Sequence, residues 1–170
     1  YKRNATSESF VEHILYFLWD LGLKVGHATR TVKDCITQAR ADFTVRTTML
    51  ENRYLSGQPA LHEEFTASFQ KQVVRGTARE FVETKLSERD DRHIRAGQSR
   101  YLVEPNIKES KGGLRDLNTL FWIARYCYQI DALEELIKLK ILTADELRLF
   151  RKGDAFLWQV RPVSYTHLTL

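Results

Sequence analysis

From Pro59 onward the sequence carries one helical pattern after another, and this restricts that part of the chain to an α-helical fold. Apolar residues recur there every three or four positions, which places them on one face of a helix. The first such stripe consists of Leu61, Phe65, Phe69 and Val73. Gly76 ends this stripe, and Thr77 with Glu80 predicts a capping box that begins the next helix.

The remaining patterns in this part of the chain are also helical. A helix is predicted over about residues 116–128, and it is apolar on nearly every side. Such a helix is normally buried at the centre of a bundle. Asp131 with Glu134, and Thr143 with Glu146, predict capping boxes for two more helices. This part of the chain is therefore predicted to form a helical bundle.

The beginning of the chain shows a different order of patterns. A stripe of apolar residues predicts a helix that Ser7 begins and Gly22 ends. The residues of this stripe are Phe10, Ile14, Phe17, Leu18 and Leu21. Residues 23–30 then alternate between two faces in the way typical of a strand, and Thr31 with Asp34 predicts a capping box for a short helix.

The segment that follows is ambiguous. Residues 42–55 are rich in Thr and Val, which favours a strand, but Leu50, Arg53 and Tyr54 also suit a helix. A helix, a strand and a second helix in succession are typical of α/β folds. The predicted fold class is therefore mainly α, a helical bundle preceded by a partial α/β segment.

The most informative motif is the stretch 104–116, which places two glycines directly before a predicted helix. Cations converge on the same turn, and a helix N-terminus with glycines can bind a phosphate or triphosphate. The candidate residues are Lys108, Lys111, Gly112, Gly113, Arg115 and Asp116. The alternative is a flexible loop in which Asp116 caps the helix and the cations lie in water. The spacing matches neither a P-loop nor a dinucleotide-binding fingerprint.

Other polar residues give weaker signals. Asp42 and Glu51 are candidates for metal or acid/base chemistry, but neither belongs to an Asp-x-Asp pair in an apolar strand. His27 and Arg30, on opposite faces of the predicted strand, are candidate cleft residues. His93 lies in a charged run that we interpret as a solvated helix end. No pair of histidines has the spacing of a metal site.

Charge and cysteine content exclude several classes of protein. The chain has 170 residues and a formal net charge of +4, with basic and acidic residues interleaved, so nucleic-acid binding is not predicted. No apolar run reaches the roughly 18 residues of a membrane span. Cys35 and Cys127 are far apart and form no C-x-x-C pair, which fits a reducing cytoplasm. The first residue is Tyr1, and this suggests a fragment of a longer protein.

The glycine motif and several other segments resemble the bifunctional uridylyltransferase/uridylyl-removing enzymes of the PII nitrogen-signalling protein. The similar segments are residues 104–109, 112–117, 119–124, 17–31, 50–57 and 156–161. They occur in the order expected for that family, and the resemblance covers residues of about 10–161. The stretch 104–117 is too long and specific to be expected by chance.

The resemblance implies a nucleotidyltransferase of the polymerase-β type, followed by a helical domain. The implied reaction is Mg²⁺-dependent transfer of UMP from UTP to a tyrosine of the PII protein, in the cytoplasm, when glutamine is low. Further domains of the family remove the UMP and sense glutamine. The resemblance also implies that this loop lies near the transferase cleft. From the residues themselves we predict that Lys108, Lys111 and Arg115 contact the UTP phosphates, while Asp116 caps the helix or orients Arg115.

The family's glycine-rich turn and Ser-Asp-x-Asp metal motif are expected upstream of Tyr1, so this chain alone should hold no metal site and be inactive. Whether Asp42, Glu51 or neither completes the site is left open. One alternative is the adenylyltransferase that acts on glutamine synthetase, which has a similar Lys…Gly-Gly motif. The other is a non-catalytic helical interaction module in which the two glycines form a hinge.

The resemblance and the patterns together predict four segments. Residues 1–57 are the C-terminal part of the transferase domain, and residues 58–100 are connecting helices. Residues 101–161 form the helical domain with the Gly-Gly loop. Residues 162–170 are a tail that we interpret as non-native, because Pro162 should end the last helix and the rest departs from the family.

Overall fold

The computed structural model of the chain describes residues 5–96 and 106–167, and these residues form eight α-helices and no strand. The helices are α1 (Ala5–Asp20), α2 (Val32–Ala41), α3 (Phe43–Leu50), α4 (Pro59–Phe69), α5 (Ala78–Arg95), α6 (Leu114–Tyr128), α7 (Glu134–Lys138) and α8 (Ala144–His167). A π-helical segment, Gln70–Val74, follows α4. The mainly α fold class is confirmed. The contacts divide the chain into two compact units, Tyr1–Val73 and Val74–Leu170.

In the first unit, α2 packs against α3 and α4. The predicted capping box of α2 is confirmed, since Asp34 N donates to Thr31 Oγ1 over 3.1 Å and Thr31 N donates to Asp34 Oδ2 over 3.2 Å. Asp42 ends α2 and begins α3, where its Oδ1 accepts hydrogen bonds from Thr44 N and Val45 N. The ambiguous segment after residue 42 therefore begins as a helix.

The strand predicted at residues 23–30 is wrong, because this segment has neither helical nor strand structure. Alternation supplies the two faces of a strand, but a strand also needs a neighbour for its backbone hydrogen bonds, and the described residues offer none. The helix before it does end at Gly22, whose φ of +76° is a left-handed conformation that suits glycine. Ser7 lies inside α1 and is not its N-cap, so that prediction is also wrong.

The apolar stripe of α1 is largely exposed. Phe10 is 65% and Phe17 60% accessible, whereas Leu15, which is not a member of the predicted stripe, is buried. The stripe thus formed a helix as predicted, but within this chain most of it is not part of a core.

The second unit is built on the pair of helices α5 and α6, with α8 against α6. Phe81 of α5 and Tyr126 of α6 are both fully buried, and their rings stack with centroids 3.9 Å apart. The Thr77 hydroxyl lies 2.7 Å from Tyr126 OH and donates to Val74 O. The capping role predicted for that hydroxyl is wrong, since Thr77 makes no side-chain cap hydrogen bond and serves the contact between the helices instead.

Helix α6 is only partly buried, although its sequence is apolar on nearly every side. Leu114, Thr119 and Tyr126 are buried, but Leu120 is 57% exposed. The prediction of burial all round is therefore wrong for the face that carries Leu120. The helix begins at Leu114, about two residues before the predicted start.

The two predicted capping boxes after α6 have different outcomes. At the start of α7 the backbone N–H groups of Asp131 and the next residue donate to Glu135 and not to Glu134, so the predicted box is wrong by one position. At the start of α8 the box is confirmed, since Thr143 N donates to Glu146 Oε2 over 2.8 Å and Glu146 N donates to Thr143 Oγ1 over 3.2 Å.

Helix α8 continues through Pro162 to His167, so the predicted end at this proline is wrong. Proline removes one backbone donor from a helix, and here that loss does not terminate the helical backbone. The non-native origin of residues 162–170 and the segment boundaries at 57/58 and 100/101 stay predictions. Within residues 5–96 and 106–167, no helix combines the length and apolar character that a membrane crossing requires.

Candidate functional site

The glycine motif folds as a tight loop that leads into α6. Asn106 organises its first turn, because its side-chain Oδ1 accepts hydrogen bonds from Lys108 N at 3.1 Å and Glu109 N at 2.9 Å. Its backbone oxygen accepts a third from Ser110 N. Asparagine favours such local turns, since its short side chain can replace a backbone acceptor. The turn therefore fixes where Lys108 and Glu109 leave the backbone.

The two glycines of the loop each meet a steric requirement. Gly112 has φ +79°, a left-handed conformation that residues with a side chain rarely adopt. Gly113 is the N-cap of α6, and a Cβ atom placed on it would lie 2.6 Å from Ile107 O and 2.8 Å from Ser110 O. Carbonyl oxygens of the loop therefore leave no room for a side chain at position 113.

Replacement of Gly113 by alanine is expected to destabilise the second unit by about 1–3 kcal/mol, because backbone atoms must shift to admit a methyl group. The effect is measured as a lower midpoint of urea unfolding. Gly153→Ala is the matched control, since a Cβ on Gly153 of α8 meets no atom within 4 Å. A variant Gly113→Ala as stable as the wild type would contradict the tight loop.

The first N–H groups of α6 are already hydrogen-bonded within the loop. Leu114 N donates to Ile107 O over 3.0 Å, and Arg115 N donates to Lys108 O over 3.1 Å. The expectation that this helix start offers free N–H groups to a phosphate is therefore wrong for these two groups. An anion at this loop would be bound by side chains.

The carboxylate of Asp116 is the centre of a half-buried cluster that joins α5, the loop and α6. Its Oδ1 accepts a hydrogen bond from Arg92 Nη2 over 2.5 Å, and its Oδ2 accepts one from Gly112 N over 2.8 Å. His93 Nε2 lies 2.9 Å from Oδ2. The hydrogen bond from Gly112 N joins Asp116 to the loop one residue before Gly113, the N-cap of α6, so the capping role suggested for Asp116 stays a prediction.

His93 is not a solvated residue at a helix end, and that interpretation is wrong. The side chains of Arg92 and His93 are only 13% and 19% accessible, because both turn from the last part of α5 toward Asp116. Sequence reasoning missed both residues. Arg92 lies 24 and His93 lies 23 positions before Asp116, and a run of charged residues resembles a solvated helix face.

The surroundings of Asp116 act on its pKa in opposite directions. Burial raises the pKa of this carboxyl, but hydrogen bonds from Gly112 N, Arg92 and His93, together with the charge of His93, lower it more. The pKa therefore lies below its ordinary value. Asp116 is held as an anion by the groups that it joins.

Glu109 is the second carboxylate of the site and lies among three cations. Its oxygens are 3.4 Å from Arg115 Nε, 3.7 Å from Lys108 Nζ and 3.9 Å from Arg92 Nε. The structure thus brings two of the predicted cations together around one acidic residue. Lys111 is exposed on the same loop.

The other predicted site residues lie in the first unit and are dispersed. His27 lines a cavity with Thr31 and Asp34, whereas Arg30 lines a different one with Tyr54. These candidate cleft residues are therefore not brought together in one cavity.

The two candidate metal ligands occupy the ends of α3. Asp42 is the N-cap of this helix, and Glu51 is its exposed C-cap residue. Across residues 5–96 and 106–167, no three His, Cys, Asp or Glu side chains are grouped as a metal ion would need. The described residues therefore do not fit a magnesium site.

Comparison with known proteins identifies the family. The chain is 58% identical over 161 residues to the bifunctional uridylyltransferase/uridylyl-removing enzyme of Rhodopseudomonas palustris, an alignment that covers 95% of this chain and 17% of that protein. Residues 80–163 match the family model described as GlnD PII-uridylyltransferase. The chain belongs to the PII-uridylyltransferase family.

Further relatives agree with this assignment. The enzymes of the same name from Bradyrhizobium sp. and Rhodospirillum rubrum are each 56% identical to this chain, with the same coverage of 95% and 17%. The chain thus spans about a sixth of the length of the curated relatives that it matches. No solved structure shows a significant match. The resemblance stated from the sequence is confirmed, and the cluster around Asp116 lies inside the range of the uridylyltransferase family model.

Proposed function

We propose that this chain is part of a Mg²⁺-dependent nucleotidyltransferase that transfers UMP from UTP to a tyrosine of the PII protein. The observation that carries the proposal is the 58% identity to an enzyme named a uridylyltransferase, extending over 95% of the chain. As the family resemblance implies, the proposal places the metal ligands in a part of the parent enzyme outside this chain, and it expects the isolated chain to be inactive.

The proposal also covers the location and regulation of the parent enzyme. The parent enzyme works in the cytoplasm, and through domains outside this chain it responds to glutamine and removes UMP. Cys35 and Cys127 are free thiols, which supports a reducing compartment.

Within the proposed enzyme, the loop before α6 contributes side chains to the UTP phosphates. Lys108, Lys111 and Arg115 supply positive charge, while Gly112 and Gly113 give the loop the shape that holds them. Asp116 anchors the loop through Gly112 N and does not touch the nucleotide. The hydrogen bonds of the loop support this role, because an ordered backbone reduces the entropy that is lost when an anion binds.

The experiment is a calorimetric titration of Mg-UTP into the full-length enzyme and its Lys111→Ala/Arg115→Ala variant. Each lost contact to a charged group removes roughly 1.5–3 kcal/mol, so the affinity for UTP should fall at least about tenfold. The matched control is Lys138→Ala/Lys152→Ala, which removes the same charge from exposed positions of α7 and α8.

Unchanged affinity for UTP in the loop variant would remove the assigned contacts. Tighter binding of ATP than of UTP, with glutamine synthetase as acceptor, would favour the adenylyltransferase alternative. Binding of a protein partner without any nucleotide signal would favour the interaction module.

A further inference from the structure

An open cavity of about 620 Å³ lies between the end of α5 and the glycine loop. It is lined by Glu88, Arg92, Arg95, Ala96, Asn106, Glu109 and Arg115. Three of these residues are arginines, and Glu88 is already paired with the buried Lys85 at 2.8 Å. Arg92 is likewise paired with Asp116, and the lining charge that remains, Arg95 and Arg115 against Glu109, is positive. Arginine forks match the oxygens of a phosphate. The cavity therefore suits an anion.

Arg92 has an unused donor at this cavity. Its Nη2 binds Asp116, but its Nε is buried and has no hydrogen-bond partner among the residues that the structure describes. The nearest acidic oxygen is Glu109 Oε2, 3.9 Å away. A buried donor without a partner is costly, so a ligand oxygen that reached Nε would gain a contact that Glu109 does not provide.

Glu109 lies among three cations but makes no short hydrogen bond to any of them. Its separations from Arg115, Lys108 and Arg92 are 3.4, 3.7 and 3.9 Å, whereas a charge-assisted hydrogen bond is about 2.7–2.9 Å long. Its side chain is 32% accessible, so it can turn out to solvent. A carboxylate in this position reduces the repulsion between the cations but does not form short hydrogen bonds with their N–H groups.

We propose that Glu109 is an internal competitor for a phosphate-bearing ligand. A phosphate group enters the cavity, displaces the Glu109 carboxylate and binds Arg92 and Arg115, with Arg95 at the rim. The identification of this ligand with the triphosphate of UTP rests on the proposed function. The cavity, its arginines and the loosely held Glu109 are independent of it. The proposal adds Arg92 and Arg95 of α5 to the cations of the loop.

The test is a calorimetric titration of inorganic tripolyphosphate into the 170-residue chain and its Glu109→Gln variant. Glutamine keeps the size of the side chain and removes the competing charge, so the variant should bind about tenfold more tightly. Arg95→Gln should bind more weakly than the wild type. The matched control is Glu83→Gln on α5, which removes the same charge from an exposed ion pair with Arg79 and should change the affinity little.

Equal affinity in the wild type and Glu109→Gln overturns the proposal, as does equal tightening in the Glu83→Gln control. Absence of tripolyphosphate binding in both the wild type and Glu109→Gln overturns it as well. Failure of the proposed function gives a different result. In that case Glu109→Gln tightens tripolyphosphate binding, while the full-length Lys111→Ala/Arg115→Ala enzyme keeps its affinity for UTP.

Discussion

Replacement of Asp116 by alanine is expected to destabilise the second unit by about 2–4 kcal/mol. Removing one partner of a fully buried ion pair costs roughly 3–5 kcal/mol, and this cluster is slightly accessible, so a somewhat smaller loss is expected. The variant leaves Arg92 and His93 without their carboxylate and Gly112 N without its acceptor. The measurement is the free energy of unfolding in urea, followed by circular dichroism.

The matched control is Asp145→Ala in the first turn of α8. Asp145 is paired with Arg148 at 3.0 Å, but both side chains are about four-fifths exposed, so the expected loss is below about 1 kcal/mol. Equal losses in the two variants would contradict the role of Asp116 as the residue that joins α5 to the loop.

The difference in stability between the wild type and Asp116→Ala should depend on pH. The pKa of Asp116 is lowered by folding, so its contribution to stability is fully present above the ordinary aspartate pKa of about 3.9. That contribution is lost as the pH falls through the lower pKa of the folded state. The difference in stability between the wild type and Asp116→Ala should therefore be largest near neutral pH and shrink in acid.

The sequence predicted the helices better than it predicted how they pack. Spacing of three and four residues is a local property, and it located α4, α5 and α8 before any contact was known. The alternation at residues 23–30 was equally clear, but a strand depends on a neighbour that no local pattern supplies. The cap predicted for the Thr77 hydroxyl failed for a similar reason. That hydroxyl contacts Tyr126, a residue distant in sequence that no local pattern could indicate.

The candidate site divides in a similar way. The loop was predictable because Gly112, Gly113 and the neighbouring cations are close in sequence. Arg92 and His93 were not, because only the packing of α5 against α6 brings them to Asp116. Periodicity gives one indication in retrospect. Residues 81 and 92 are about three helical turns apart, so the face of α5 that carries Phe81 into the core also carries Arg92 toward Asp116.

Replacement of Phe81 by alanine is accordingly expected to have the largest effect of any single change in the second unit, a loss of about 3–5 kcal/mol. Phe81 is fully buried and stacks on Tyr126, and Lys85 Nζ lies 5.6 Å from the centre of its ring. The truncation leaves a cavity between α5 and α6. The measurement is again the free energy of unfolding in urea.

Phe156→Ala is the control for Phe81→Ala, because Phe156 is the same residue type on α8 and is 61% exposed. Its truncation should cost less than about 1 kcal/mol, since little apolar area is buried there. The two variants also test whether the packing of α5 against α6 supports anion binding at the site. If the stack between α5 and α6 holds Arg92 beside Asp116, then Phe81→Ala should weaken tripolyphosphate binding under conditions where the chain remains folded, and Phe156→Ala should not. A stable Phe81→Ala variant with full anion affinity would contradict both the core assignment and its link to the site.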